Sequence, residues 1–323
     1  MKKVLKLEEI THTTISGLDR KKTFVIATMS PLEVHGPHLP IGMDFMQAYR
    51  LATFAAGIAA SRLDGWSFLL LPPVPVASDT VPALGSVGFP PGLVTDVAVR
   101  LLAPFAEAGF ARLGYASFHG GPRHLCALED AAERLKKKYG VPTISLMSAA
   151  LANFVEGDSF MKGLEGVKGC AVTIEQVKAD MHAGFVETSI ALHLWPWLVD
   201  DGWKGLAGSI PKADGGAGSS KRSFIYGSNK KTGVVEGMKK AANTASLLVR
   251  AVKFFQSNTY CGYPALSSPE AGRALFDNVS GICAGLLEEL ATRGMEMDCH
   301  SPLWRYKRIF LNSTISRLLD GAG

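Results

Sequence analysis

The stretch LEVHGPHLPIGMD, residues 32 to 44, holds Glu33, His35, His38 and Asp44 in one segment broken by glycine and proline. Glu33 and His35 are two apart on what continues an extended strand, so both side chains can point the same way. Asp44 stands at a helix start, close enough through the loop to fold back toward them. That is half of a metal site, since a dinuclear centre needs neutral imidazoles, monodentate carboxylates and one carboxylate that bridges two cations. Plainer readings compete: Asp44 as a helix N-cap, His38 as a loop hydrogen-bonding group, Glu33 as a solvated acid.

Two other segments add candidate ligands. His119 ends the run RLGYASF and opens HGGPRH, and an imidazole at the end of an apolar strand is costly to bury unless it is paired. DMHAGFVETS, residues 180 to 189, supplies His182 and Glu187 around a small-residue turn. There the plainer readings are Thr188 and Ser189 as helix caps, Glu187 as a first-turn acid favoured by the helix dipole, and His182 as a loop histidine.

The elements that must position these residues alternate. Residues 23 to 30, 66 to 76, 110 to 118 and 141 to 148 read as strands. Helices begin near Asp44, Thr95 and Pro122, the last running to a glycine stop. This order implies an α/β fold, with a mainly parallel sheet covered on both faces. In such sheets ligands gather at the carboxyl ends of strands. Beyond residue 150 the pattern loosens: 155 to 179 reads as an insertion, 205 to 223 as a Gly/Ser-rich loop and 234 to 255 as a long helix. We expect one domain over 1–262 and a helical extension over 263–323 packed on it.

Composition narrows the function classes. The chain has 323 residues, 47% hydrophobic and 20% charged, which is ordinary for a globular protein and too apolar for disorder. Its net charge of +5 is scattered, and the one basic run, Lys136 to Lys138, falls at a predicted helix end. No nucleic-acid partner is expected. The start lacks an apolar core and a cleavage site, so it does not read as a signal peptide, and no stretch is long enough to span a bilayer. A cytoplasmic protein without a membrane partner is expected. The five cysteines contain no CxxC pair, which argues against a disulfide framework and a zinc ribbon.

SPLEVHGPHLPIGMD, FHGG and HAGFVETS resemble, in order and spacing, the signature segments of the creatininase (creatinine amidohydrolase) family, and TGVVEGMKKAANTAS resembles its late Gly-Val segment. The resemblance implies a three-layer α/β/α sandwich, a pair of divalent ions (Zn, Mn or Fe) and hydrolysis of a small cyclic or linear amide. It also implies a homo-oligomer, with a hexamer as the family's common form. Carried over by position, Glu33 and His119 hold one metal, His35 the other, and Asp44 bridges both. His182 falls on the family's proton-shuttling histidine, and Ser78 on a substrate-contacting serine.

The chain also departs from the family. Creatininase itself has an acidic ligand two residues after the strand-end histidine, where this chain has Gly121, so creatinine is not the expected substrate. Glu187 is the candidate for the missing ligand or, if not a ligand, for a proton-transfer group beside His182. His124 is a weaker substitute, since a helix-interior histidine is more often satisfied locally. Two other readings stay open: a formamide deformylase or lactonase on the same scaffold, and a non-catalytic binding protein. Trp195, Trp197 and Trp203 read as core or interface aromatics ahead of a lid over the pocket.

Overall fold

A computed structural model describes residues 3–154, 162–211, 253–297, 299–314 and 316. Five strands, β1 (Val4–Lys6), β2 (Thr23–Thr28), β3 (Ser67–Leu70), β4 (Arg112–Ala116) and β5 (Thr143–Ser145), form one sheet in the order β1-β3-β2-β4-β5. Every pairing is parallel, with Phe24 opposite Phe68 on one side and Arg112 on the other.

The four predicted strands are present, though shorter. The run 66 to 76 leaves regular pairing at Leu70, where Pro72 and Pro73 remove ladder donors. β1 carries no alternating pattern, and the sequence reading did not find it. β2, TFVIAT, is buried along its whole length, as expected of a parallel strand covered on both faces.

Its alternating side chains divide the core. Phe24 and Ile26 join one cluster with α2 (Met43–Arg62), α5 (Leu146–Phe154), α7 (Phe185–Leu194) and α8 (Pro269–Arg293). Val25 and Ala27 join the other, with α3 (Pro91–Glu107) and α4 (Pro122–Tyr139). The result is the three-layer sandwich. Smaller helices are α1 (His12–Ser16), α6 (Ile174–Ala179) and α9 (Lys307–Phe310).

The buried face of α2 includes Ala48, Ala52, Ala55, Ala56 and Ala59, so neighbouring elements approach closely. Contact between α8 and α7 is closer still: a Cβ on Gly272 would lie 1.8 Å from the Ser189 carbonyl oxygen, so only glycine fits. The predicted helix over 234 to 255 falls outside the described residues except for its last three. The same holds for residues 155–161 of the expected insertion and 212–223 of the expected Gly/Ser loop.

Three loops leave the carboxyl edge of the sheet side by side. The β2 loop carries Glu33 and His35, the β3 loop Ser78, and the β4 loop His119.

Candidate metal centre

Asp44 lies at the middle of the cluster. It is not the N-cap of α2; that position belongs to Gly42, and no side chain caps the helix. The Asp44 carboxylate is shared instead, with Oδ1 3.2 Å from His35 Nε2 and Oδ2 3.1 Å from His119 Nδ1. The other nitrogen of each ring is committed to a backbone carbonyl. His35 Nδ1 donates to Glu33 O at 2.9 Å, and His119 Nε2 donates to Ser78 O at 2.8 Å.

Because a carbonyl only accepts, those contacts fix the tautomers. In the neutral rings, the nitrogens facing Asp44 carry lone pairs aimed at carboxylate oxygens. Such an arrangement is repulsive unless a cation, a proton or a metal, lies between them. A histidine oriented by a carbonyl on its far nitrogen is the usual support of a metal ligand.

The remaining acids complete two groups. Glu33 Oε2 lies 3.1 Å from His119 Nδ1, is buried and has no hydrogen-bond partner among the described residues, while Oε1 accepts from the Val81 N–H at 2.6 Å. Glu187 Oε2 lies 3.8 Å from His35 Nε2 and accepts from the Ala183 N–H. Thus Glu33, Asp44 and His119 form one group, and His35, Asp44 and Glu187 another, with ligand atoms within 4.8 Å of one another in each. Asp44 belongs to both. The donors are nitrogen and oxygen without thiolate, a set that suits Zn, Mn and Fe. The orphaned Glu33 oxygen and the facing lone pairs fit a pair of divalent ions.

His182 closes the arrangement, and with Glu33 and His35 makes a third such group. It reaches the cluster by a route the sequence did not show. It follows α6 rather than a strand of the main sheet, and its backbone pairs with Cys261 in both directions. Thr259 accepts from Gly36 N–H, so residues 259–261 tie the β2 loop to the His182 segment. The His182 ring lies 4.2 Å from that of His35, with Phe255 edge-on at 5.6 Å. Its Nε2 donates to Val34 O at 2.7 Å, leaving Nδ1 as the nitrogen able to take a proton.

The other candidates fall outside the groups. His38 pairs with Thr188 Oγ1 at 2.8 Å, and burial followed by the nearby His35 lowers its pKa to about 4. His124 pairs with Ser117 Oγ at 3.1 Å and is likewise lowered, by burial and then His119, to about 3. Ser78 meets His119 through its carbonyl, while its hydroxyl donates to Phe89 O at 2.7 Å. Trp195 packs on Leu39 and Met43, whereas Trp197 is largely exposed.

Burial alone would lower the pKa of His35. The Asp44, Glu187 and Glu33 carboxylates outweigh it and raise the value from 6.5 to about 10. His119 moves the same way: burial is opposed by Glu33 and Asp44, and the pKa rises well above 6.5. Without a metal, the surrounding carboxylates favour the protonated form of both rings.

A group raised on folding adds stability below its unfolded pKa, and that stability is lost as pH rises through the folded value. The metal-free chain is therefore expected to lose melting temperature between roughly pH 7 and 10. Loading at pH 7.5 should expel about one to two protons per chain. Indicator-dye titration during Zn²⁺ addition checks this, and metal uptake with no proton release would contradict the protonated state expected of His35 and His119.

The sequence profile of a family described as creatinine amidohydrolase matches residues 8–287. No curated protein matches the chain. Among solved structures, the chain is similar to the Bacteroides fragilis NCTC 9343 protein named for creatinine amidohydrolase. Identity there is 20%, the TM-score is 0.59, and the match covers 91% of this chain and 99% of that one. It is also similar to a structure of creatininase Mn, at 15% identity and TM-score 0.56, covering 90% and 100%. A mutant creatininase of Zn-Zn type is matched at 16% identity and TM-score 0.56, covering 89% and 98%. Among the described residues, no helix is long and apolar enough to cross a membrane.

Proposed function

Because the chain belongs to the creatininase family, we propose that it is a metal-dependent hydrolase that cleaves a carbon-nitrogen bond of a small cyclic or linear amide other than creatinine. The observation that carries this reading is the pair of imidazoles, each turned by a backbone carbonyl so that its free nitrogen meets a different oxygen of Asp44. In this reading Glu33 and His119 would hold one ion and His35 and Glu187 the other, with Asp44, which belongs to both groups, serving both. The Zn and Mn forms among the structural neighbours support Zn²⁺ or Mn²⁺ as occupants, and Fe²⁺ fits the same donors.

Divalent ions held there would supply a water of lowered pKa and Lewis-acid polarisation of an amide carbonyl. His182 Nδ1 takes a proton and passes it to the departing nitrogen. Glu187, fixed by the Ala183 N–H, lies 3.8 Å from His35 Nε2 and stands beside His182. Burial raises the Glu187 pKa, with His35 opposing.

Exclusion of creatinine is supported at Gly121. A Cβ there would lie 2.5 Å from His119 Nε2 and 2.7 Å from Asp79 Cβ, so an acidic side chain does not fit. Ser78 remains the candidate substrate contact on the third loop. The reading includes a cytoplasmic homo-oligomer, testable by sedimentation.

Assaying formamides, cyclic ureides, linear amides, creatinine and lactones side by side on metal-loaded protein tests the proposal. Turnover of an amide or ureide above that of lactones is expected. Hydrolysis confined to lactones would move the activity to carbon-oxygen bonds, and a chain holding no metal would make it a binding protein.

A further inference from the structure

We infer that the partly buried Asp79–Arg123 pair is a positioning device for His119, setting the tautomer and direction with which that ring meets a metal ion. The inference rests on the metal-centre reading above. Asp79 and Ala183 are the two non-glycine residues with positive φ among the described residues, at 66° and 48°. Ala183 directly follows His182, and Asp79 directly follows Ser78, whose carbonyl meets His119. Backbone strain of this kind persists where the surrounding structure holds it, and it concentrates at functional sites.

The bend at Asp79 separates two jobs. On one side, the Ser78 carbonyl meets His119 Nε2 at 2.8 Å. On the other, the Asp79 carboxylate grips the start of α4. Its Oδ2 accepts the Arg123 backbone N–H at 2.6 Å, and Oδ1 accepts the Arg123 Nε–H. Arg123 Nη1 also reaches the Ser316 carbonyl at 3.4 Å.

The β3 and β4 loops are thereby joined twice, at Ser78–His119 and at Asp79–Arg123, with Gly121 closing the space between. A buried ion pair adds little net stability compared with an apolar pair of the same size. Its place four residues beyond a metal-site histidine gives it a purpose that stability does not. Gly121 and Asp79 are also reciprocal: Asp79 and the His119 ring occupy the volume that an acid at position 121 would need. The chain has exchanged a direct ligand on the β4 loop for a brace between loops.

The test uses Co²⁺ as the probe, with binding followed by titration and by the visible spectrum that reports ligand geometry. Asp79→Ala is expected to weaken Co²⁺ binding by about 10- to 100-fold, the usual cost of removing an outer partner of a metal ligand, and to shift the spectrum. Arg123→Met should do the same, and the double variant should be little worse than either single one, since both act through one device. Asp79→Asn tolerates positive φ and keeps the main-chain N–H bond but turns an amide NH2 toward Arg123 Nε–H, so its loss should match that of Arg123→Met.

Wild-type affinity and an unchanged spectrum in Asp79→Ala and Arg123→Met would overturn the inference while leaving the centre intact. Should Asp79→Ala fail to fold, Arg123→Lys decides by the same readouts, because it keeps the charge but loses the fork that grips Asp79. Absence of Co²⁺ binding in the wild-type chain removes the centre, and the role of the pair with it.

Discussion

Asp44→Ala is expected to abolish binding of both ions, and all turnover with them, while the chain still folds. Removing an outer partner of a ligand costs 10- to 100-fold in affinity, so losing a carboxylate shared by two groups should cost more than about 100-fold. The fold should survive because Asp44 does not cap α2. Its loss removes a first-turn acid worth about 0.3–1 kcal/mol to the helix. In the metal-free variant, His35 and His119 lose one of the carboxylates that, against burial, raise their pKa values, so both values should fall.

His119→Ala provides the contrast. It dismantles the Glu33, Asp44 and His119 group but leaves His35, Asp44 and Glu187 together. One ion should remain where the wild type holds two, with activity lost. Elemental analysis beside circular dichroism reads both variants, and wild-type metal content in the two together would discard the centre.

His182→Ala should separate binding from chemistry. With Nε2 held by the Val34 carbonyl, the ring is placed to move a proton at Nδ1. Its removal is expected to leave both ions bound and to lower kcat by about 100-fold or more, the contribution of a positioned acid-base group. The ring also lies near Glu33 and His35 in a third possible ligand group, so the metal measurement decides its role. Loss of one ion per chain would make His182 a ligand, and unchanged turnover would leave it as packing.

The sequence made the scaffold readable because the buried strands are continuous apolar runs and the helices between them carry clear starts and stops. Thr23–Thr28 and the helix closing at Gly140, which adopts φ 67°, follow directly from that pattern. The acids and imidazoles were legible as types at strand ends. Their tautomers were not, because those depend on which backbone carbonyls the loops present: the Glu33 carbonyl within its own loop, and the Ser78 carbonyl from a loop forty residues away in the chain.

Asp79 gave no signal, since its importance lies in a backbone angle and a partner on α4. Residues 259–261 pin His182 through backbone hydrogen bonds, which their side-chain types do not announce. Asp44 satisfied the pattern for a cap, and only the three-dimensional arrangement shows Gly42 in that position.

The Gly272 contact sets an order of events during synthesis. Every proposed ligand has been translated by residue 187, yet the layer backing α2 and α7 is closed by α8, which ends at Arg293. A nascent chain emerging at about 5–20 residues per second therefore carries its full set of ligands for several seconds before the floor beneath them is laid. Tight metal capture is expected to follow the docking of α8 rather than the synthesis of the last ligand.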